Sequence, residues 1–242
     1  MFVAECDSTN TLLRQLVAEG NPPAYIYAGY QTAGRGQTGN GWESERGKNL
    51  LCSILLPPRK NMFELNIVAS IAVQRIVGDA VSIKWPNDIY WQDKKVAGIL
   101  IENALIGGEV KYSIAGIGLN VNQTEFRSDA PNPVSLRQIT GQEYDIDALM
   151  ERLAEEIDKG LRMSADELWD YYRSHLYRRE GWWPFVEREV SVAPTMNATS
   201  QERIANSFMA RIMDVLPSGE LVLEDEKGKE RTYHFKQIRY VV

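Results

Sequence analysis

The chain has 242 residues, 44% of them hydrophobic and 25% charged, which suits one large domain or a medium domain followed by a small one. A formal net charge of −6 argues against wholesale nucleic-acid binding, and no apolar run approaches the ~20 residues that span a bilayer. The opening MFVAECDSTN lacks the basic-then-apolar order of a signal peptide, so a cytoplasmic protein is expected. Cys6 and Cys52 have no metal-ligand spacing and read as reduced thiols. His175 and His234 are the only histidines, a poor basis for a histidine metal site or a Ser-His-Asp hydrolase.

In chain order, Ser8 stands where it could cap a helix with Leu12, Leu13, Leu16 and Val17 on its apolar face, ending at Gly20. A strand follows over 24–30 and another over 49–56. Asn61 and Glu64 lie at capping-box spacing before Leu65, Val68, Ala69, Ala72 and Ile76, which share a helix face. Strands are expected over 81–85, 96–104 and 110–118, with Gly107-Gly108 as a hairpin turn between the last two. Asp147 opens a helix with Leu149, Leu153, Ile157 and Leu161 inward, and Ser164 with Glu167 opens another. This order predicts an α+β domain with a mixed or antiparallel sheet. After about Arg179 the pattern changes. Phe208, Ala210, Ile212, Leu221, Leu223, Tyr233, Phe235, Ile238, Tyr240 and Val242 alternate between turns, as in a small barrel. The boundary is placed near Gly181, giving domains 1–180 and 181–242.

Chemistry concentrates in the first half. Gly34, Gly36 and Gly39 spell GxGxxG, but Asn40, Gly41, Gly47 and Asn49 preclude the helix that a dinucleotide fold needs there. The segment reads instead as a glycine loop whose N–H groups can cradle an anion, with Gln31, Arg35 and Trp42 as amide, cation and stacking surface. Lys84-Trp85-Pro86-Asn87-Asp88 ends a strand, then Lys94-Lys95-Val96-Ala97-Gly98 starts the next.

KWPND followed by Lys95 and Gly98 resembles the signature of the biotin–protein ligases. Asp7-Ser8-Thr9-Asn10 resembles that family's opening motif, Gln31 through Trp42 its biotin-adenylate loop, and Gly116-Ile117-Gly118-Leu119-Asn120 its GIGxN element. The resemblance implies a class II aminoacyl-tRNA-synthetase-like ligase domain with an SH3-like C-terminal barrel. It implies biotin and ATP as substrates, Mg²⁺ with the phosphates, and a biotin carboxyl carrier protein of acetyl-CoA carboxylase or a related carboxylase as acceptor. A homodimer is compatible with it; DNA is not an expected partner, because DSTN begins at Asp7, and membrane is not, because no apolar run is long enough to span one.

Residue by residue, the resemblance implies Lys95, Arg35, Lys84 and Asp88 as catalytic, with Lys95 on the biotin carboxylate and α-phosphate. Biotin would meet Ser8, Thr9, Asn10, Gln31, Arg35, Gly36, Gln37, Lys95, Gly98 and Gly116. The nucleotide would meet Trp42, Lys84, Asn87 and Asn120, the last reading the adenine edge or fixing the loop 121–136. No residue is assigned as a resident metal ligand. Gln37 departs from the family pattern, which commonly has Arg there and Arg or Asn three residues later, where this chain has Asn40. Retention of the adenylate is therefore expected to be looser. A lipoate–protein ligase or octanoyltransferase and a non-catalytic biotin-binding module are the competing readings.

Overall fold

A computed structural model describes residues 1–37, 41–128, 132–188 and 207–241. The chain divides into two compact units, Met1–Tyr172 and Arg173–Val242. The boundary expected from sequence, near Gly181, lies in the second of these units.

The first unit is built on a sheet of seven strands: β1 (Phe2–Val3), β2 (Tyr25–Ala28), β3 (Leu50–Leu56), β4 (Val81–Lys84), β5 (Asp88–Trp91), β6 (Lys94–Ile106) and β7 (Glu109–Leu119). Their order is β1-β2-β3-β7-β6-β5-β4. The β1–β2 pair is parallel and the others antiparallel, so the sheet is mixed. Gly107 and Gly108 both have positive φ, 63° and 85°, and close the expected β6–β7 hairpin. No strand is expected from sequence between 85 and 96; pairing with β4 and β6 makes Asp88–Trp91 one.

Five helices flank the sheet among the described residues: α1 (Thr9–Ala18), α2 (Phe63–Val77), α3 (Leu136–Thr140), α4 (Ile146–Arg162) and α5 (Ala165–Ser174). Leu13 of α1 is buried with Ile26 and Ile114, packed by Leu12 and Leu16. Two expected starts are corrected. α2 begins at Phe63 because Asn61 Oδ1 accepts the Phe63 N–H, while Glu64 pairs with Arg59 instead of closing a capping box. α4 is capped by Asp145, which accepts the N–H groups of Asp147 and Ala148. Ser164 and Glu167 do bond reciprocally at the start of α5. α2 is apolar nearly all round, with Leu65, Ile67, Val68, Ile71 and Val73 at 0% exposure, because it lies between sheet and α4. Gly160 permits that packing, since a Cβ there would stand 3.1 Å from Val68 Cγ1.

In the second unit, β8 (Trp183–Glu187), β9 (Phe208–Val215), β10 (Leu221–Asp225), β11 (Glu230–Tyr233) and β12 (Ile238–Tyr240) form an antiparallel sheet in the order β11-β10-β9-β8-β12. Ala210, Ile212, Leu221, Leu223, Tyr233, Ile238 and Tyr240 are buried, as alternation predicts, while Phe208 is half-buried; Phe185, outside the predicted set, is buried too. Phe235 is 46% exposed because β11 ends at Tyr233. Among the described residues β11 and β12 remain unpaired with each other, so the pairing is that of an open sheet rather than a closed barrel. Val242 lies outside the described residues.

Candidate functional site

Strand alternation assembles one face of the first unit's sheet. Side chains two residues apart share a face, so Gly98, Leu100 and Glu102 of β6 line up. Gly98 pairs with Gly118 and Leu100 with Gly116, and Gly116 in turn pairs with Ser53 of β3. The face therefore carries a floor of glycines bordered by Ser53 and Glu102.

These glycines leave room for particular neighbours. A Cβ at Gly118 would stand 2.3 Å from Trp42 Cε2, and one at Gly98 2.8 Å from Trp42 Cζ3. A Cβ at Gly116 would meet Asn10 Oδ1 at 2.4 Å. Such approaches are far inside van der Waals contact, so only glycine serves. Trp42 thus rests on the floor, brought there by the glycine loop, whose Arg35 and Gly41 form an antiparallel bridge. Its ring nitrogen is buried and has no hydrogen-bond partner among the described residues.

Lys95 borders the same floor. Its Nζ is 2.8 Å from Asp88 Oδ1, 5.7 Å from the Trp42 ring centroid and 3.1 Å from where a Gly98 Cβ would be. Strict alternation would send Lys95 and Gly98 to opposite faces. The β5–β6 register shifts between Ile89 and Tyr90, where Tyr90 opposes Lys95 but Ile89 opposes Ala97. The extra residue re-aims the lysine toward the floor, as bulges do.

Asn120, 3% exposed, holds this lysine's backbone: its Nδ2 donates to Lys95 O at 3.4 Å and Val134 O at 3.3 Å. Of the two roles expected for Asn120, this geometry favours fixing the following loop. Asn120→Ala is expected to destabilise the protein by about 1–3 kcal/mol, the cost of buried polar groups losing a partner. It should slow turnover while leaving ATP affinity unchanged. A selective loss of ATP affinity, measured by calorimetry, would return Asn120 to adenine recognition.

The KWPND turn contains a cis Trp85-Pro86 bond and is tied to α5 by the Tyr172 hydroxyl, which donates to Pro86 O at 2.7 Å. Asn87 is 2% exposed, accepts from Gln37 Nε2 at 3.1 Å and donates to Asn66 Oδ1 at 2.7 Å. Gln37 therefore links glycine loop to turn. Asn40 lies outside the described residues. Lys84 Nζ lies 4.3 Å from the Tyr90 ring centroid and 3.0 Å from its hydroxyl.

A polar chain runs beneath α1. Gln31 Oε1 accepts the Thr9 N–H at 2.7 Å and the Thr9 hydroxyl at 3.0 Å. The Ser53 hydroxyl faces both Thr9 Oγ1 at 2.8 Å and Asn10 Oδ1 at 2.5 Å. Asn10 Nδ2 donates to Glu102 Oε2 at 2.7 Å. Ser8, 6% exposed, occupies the N-cap position of α1 without a side-chain capping bond, which resolves the competing demand on it against capping. Ser53, Asn66 and Glu102 were missed from sequence. Ser53 was signalled only as the lone hydroxyl in LLCSILL, and Glu102 as a charge in a strand otherwise apolar from Val96 to Ile101.

Burial pushes the Cys52 thiol up to about 12 and, with Asp7 and Glu5 nearby, also raises that of Cys6. Neither supplies a thiolate near neutrality. The sheet face thus carries a glycine floor under an aromatic ring, bordered by the Lys95–Asp88 pair and by a buried amide and hydroxyl chain. The Biotin/lipoate A/B protein ligase family matches residues 3–120. The chain is 32% identical to the biotin--[acetyl-CoA-carboxylase] ligase of Paracoccus denitrificans over 166 residues, 63% of this chain and 69% of that protein. It is 31% identical over 189 residues to the bifunctional ligase/repressor BirA of Escherichia coli, covering 75% of this chain but only 55% of that one. The structure of biotin protein ligase from Aquifex aeolicus in complex with biotin and ATP superimposes with a TM-score of 0.74 and 25% identity, over 99% of this chain and 98% of that one. The chain belongs to the biotin–protein ligase family.

Proposed function

We propose that this protein activates biotin with ATP and transfers it to a lysine of a biotin carboxyl carrier protein, such as that of acetyl-CoA carboxylase. The observation that carries this reading is Lys95 beside Trp42 on the glycine floor, in a chain of this family. In the first step the biotin carboxylate attacks the α-phosphate of ATP, pyrophosphate leaves, and biotinyl-5′-AMP forms. Two like charges ~4 Å apart repel by about 4 kcal/mol at an effective dielectric near 20. Lys95 offsets this at the carboxylate and α-phosphate, and Arg35 and Lys84 add positive charge. Mg²⁺ enters with the substrate, as MgATP. In the second step the acceptor amine attacks the biotinyl carbonyl and AMP leaves. Asp88, released from Lys95 when the anions arrive, orients or deprotonates that amine.

Thr9, Asn10, Gln31 and Ser8 hold the polar head of biotin, with Gly36, Gln37, Gly98 and Gly116 lining its path. Trp42, Lys84 and Asn87 serve the nucleotide half, and Asn120 fixes the loop that follows it behind Lys95. We assign binding and activation to residues 1–180, and read the C-terminal five-stranded sheet as the SH3-like unit of the family. No described helix is long and apolar enough to cross a membrane.

Incubation with a carrier domain, biotin and MgATP should add one biotinyl group to the carrier, read by mass spectrometry. Consumption of lipoate in place of biotin would overturn the substrate assignment. A further expectation concerns Gln37, which makes a neutral bond to Asn87. Charge-assisted bonds are about twice as strong, so Gln37→Arg should slow adenylate release and reduce biotinylation of a bystander protein. Unchanged values for both would mean that another cation already retains the intermediate.

A further inference from the structure

Glu102 gathers three donors at the edge of the glycine floor. Its Oε2 accepts from Asn10 Nδ2 at 2.7 Å and pairs with Arg14 Nη2 at 2.9 Å. Its Oε1 faces Arg35 Nη2 at 3.6 Å, and that same guanidinium nitrogen donates to Thr11 Oγ1 at 3.1 Å. Arg35 belongs to the glycine loop, yet its side chain lies along α1 against this carboxylate.

The three contacts differ in strength. The Asn10 bond is short and its amide is buried, so that contact is structural. The Arg35 contact is long, and its side chain is 44% exposed. Exposed ion pairs of this kind contribute little and exchange readily. If Arg35 leaves, Glu102 keeps Arg14 and Asn10, so no carboxylate is stranded without a partner. If Glu102 were neutral, Arg35 would lose its counter-ion while Asn10 kept an acceptor.

We propose that Glu102 is a positioning residue that stations Arg35 against α1 until a substrate anion displaces it, while holding the Asn10 amide in place. This rests on the biotin-ligase reading for the identity of the anion, a carboxylate. The ligand's carboxylate and the Glu102 carboxylate compete for one guanidinium, so the resting pair lowers apparent affinity for biotin. Arg14 Nη2, at 2.9 Å, remains as a partner for Glu102 when Arg35 moves away.

Glu102→Gln tests this, because one amide oxygen still accepts from Asn10 while the charge is gone. Calorimetric affinity for biotin should tighten by about two- to fivefold, the range that an exposed pair spans, and the gain should vanish in the Arg35→Ala background. Weaker binding in Glu102→Gln, or the same change with and without Arg35, would overturn the proposal. A second measurement needs no ligand. The Arg35 side-chain ¹⁵N–¹H NMR signal of the ligand-free protein should shift in Glu102→Gln, and an unchanged signal would overturn the resting pair. A wild-type protein that binds no biotin while the Arg35 signal still shifts would remove the functional reading and leave the resting pair standing.

Discussion

Replacing Lys95 with alanine is expected to lower the rate of biotinyl-adenylate formation by about 10²–10³-fold, the range seen when one preorganised stabilising group is removed. The reason is position. Lys95 Nζ stands at the glycine floor, 28% exposed and 2.8 Å from Asp88, so a cation is in place where the proposed reaction would bring anionic charge together. Biotin binding by itself brings a single carboxylate, whereas the reaction concentrates charge from carboxylate and phosphate together. The loss should therefore appear mainly in the rate, with a smaller effect on biotin affinity. Pyrophosphate release under saturating biotin and ATP measures the first, and calorimetry the second. An unchanged rate would remove Lys95 from the mechanism. Equal losses in both would make it a binding residue only.

Gly116→Ala should be nearly as damaging, through packing rather than charge. The added Cβ would lie 2.4 Å from Asn10 Oδ1 and 3.0 Å from both Asn10 Cγ and Nδ2. Asn10 has little freedom to retreat: it is 3% exposed, tied at one end to Ser53 and at the other to Glu102. Overpacking and the breaking of a buried polar chain together cost about 2–4 kcal/mol. Chemical denaturation of the purified variant should show a correspondingly lower midpoint. Biotin affinity should fall by about tenfold or more, since 1.4 kcal/mol already gives that factor. A variant with wild-type affinity would show that Asn10 is remote from the ligand.

Part of this was legible in the residues alone. Alternation and turn chemistry located β2, β3, β4, β6 and β7, and Gly107-Gly108 marked the hairpin, because period two and positive φ are local properties. The apolar stripe of α1 and the Ser164–Glu167 cap were readable for the same reason. Of the motif residues, Asn10, Gly116 and Gly118 meet at the glycine floor, with Lys95 and its partner Asp88 beside it.

Other features needed the tertiary structure. β5 was not expected from sequence, where Asn87 and Asp88 favour a turn, and only pairing on both sides makes it a strand. The start of α2 and the cap of α4 depended on which of two nearby polar side chains wins the N–H groups, a contest that spacing leaves undecided. Gly116 and Gly118 could be seen as glycines, but that they make room for Asn10 and Trp42 follows from long-range packing. Ser53 and Glu102 belong to no motif; their place under α1 comes from the register of β3, β7 and β6. Lys95 is the sharpest case. The sequence by itself determined which lysine belongs to the KWPND motif. Period two would have turned it away from Gly98, and the one-residue register shift in β5–β6, visible only once the strands are paired, brings its ammonium to the floor.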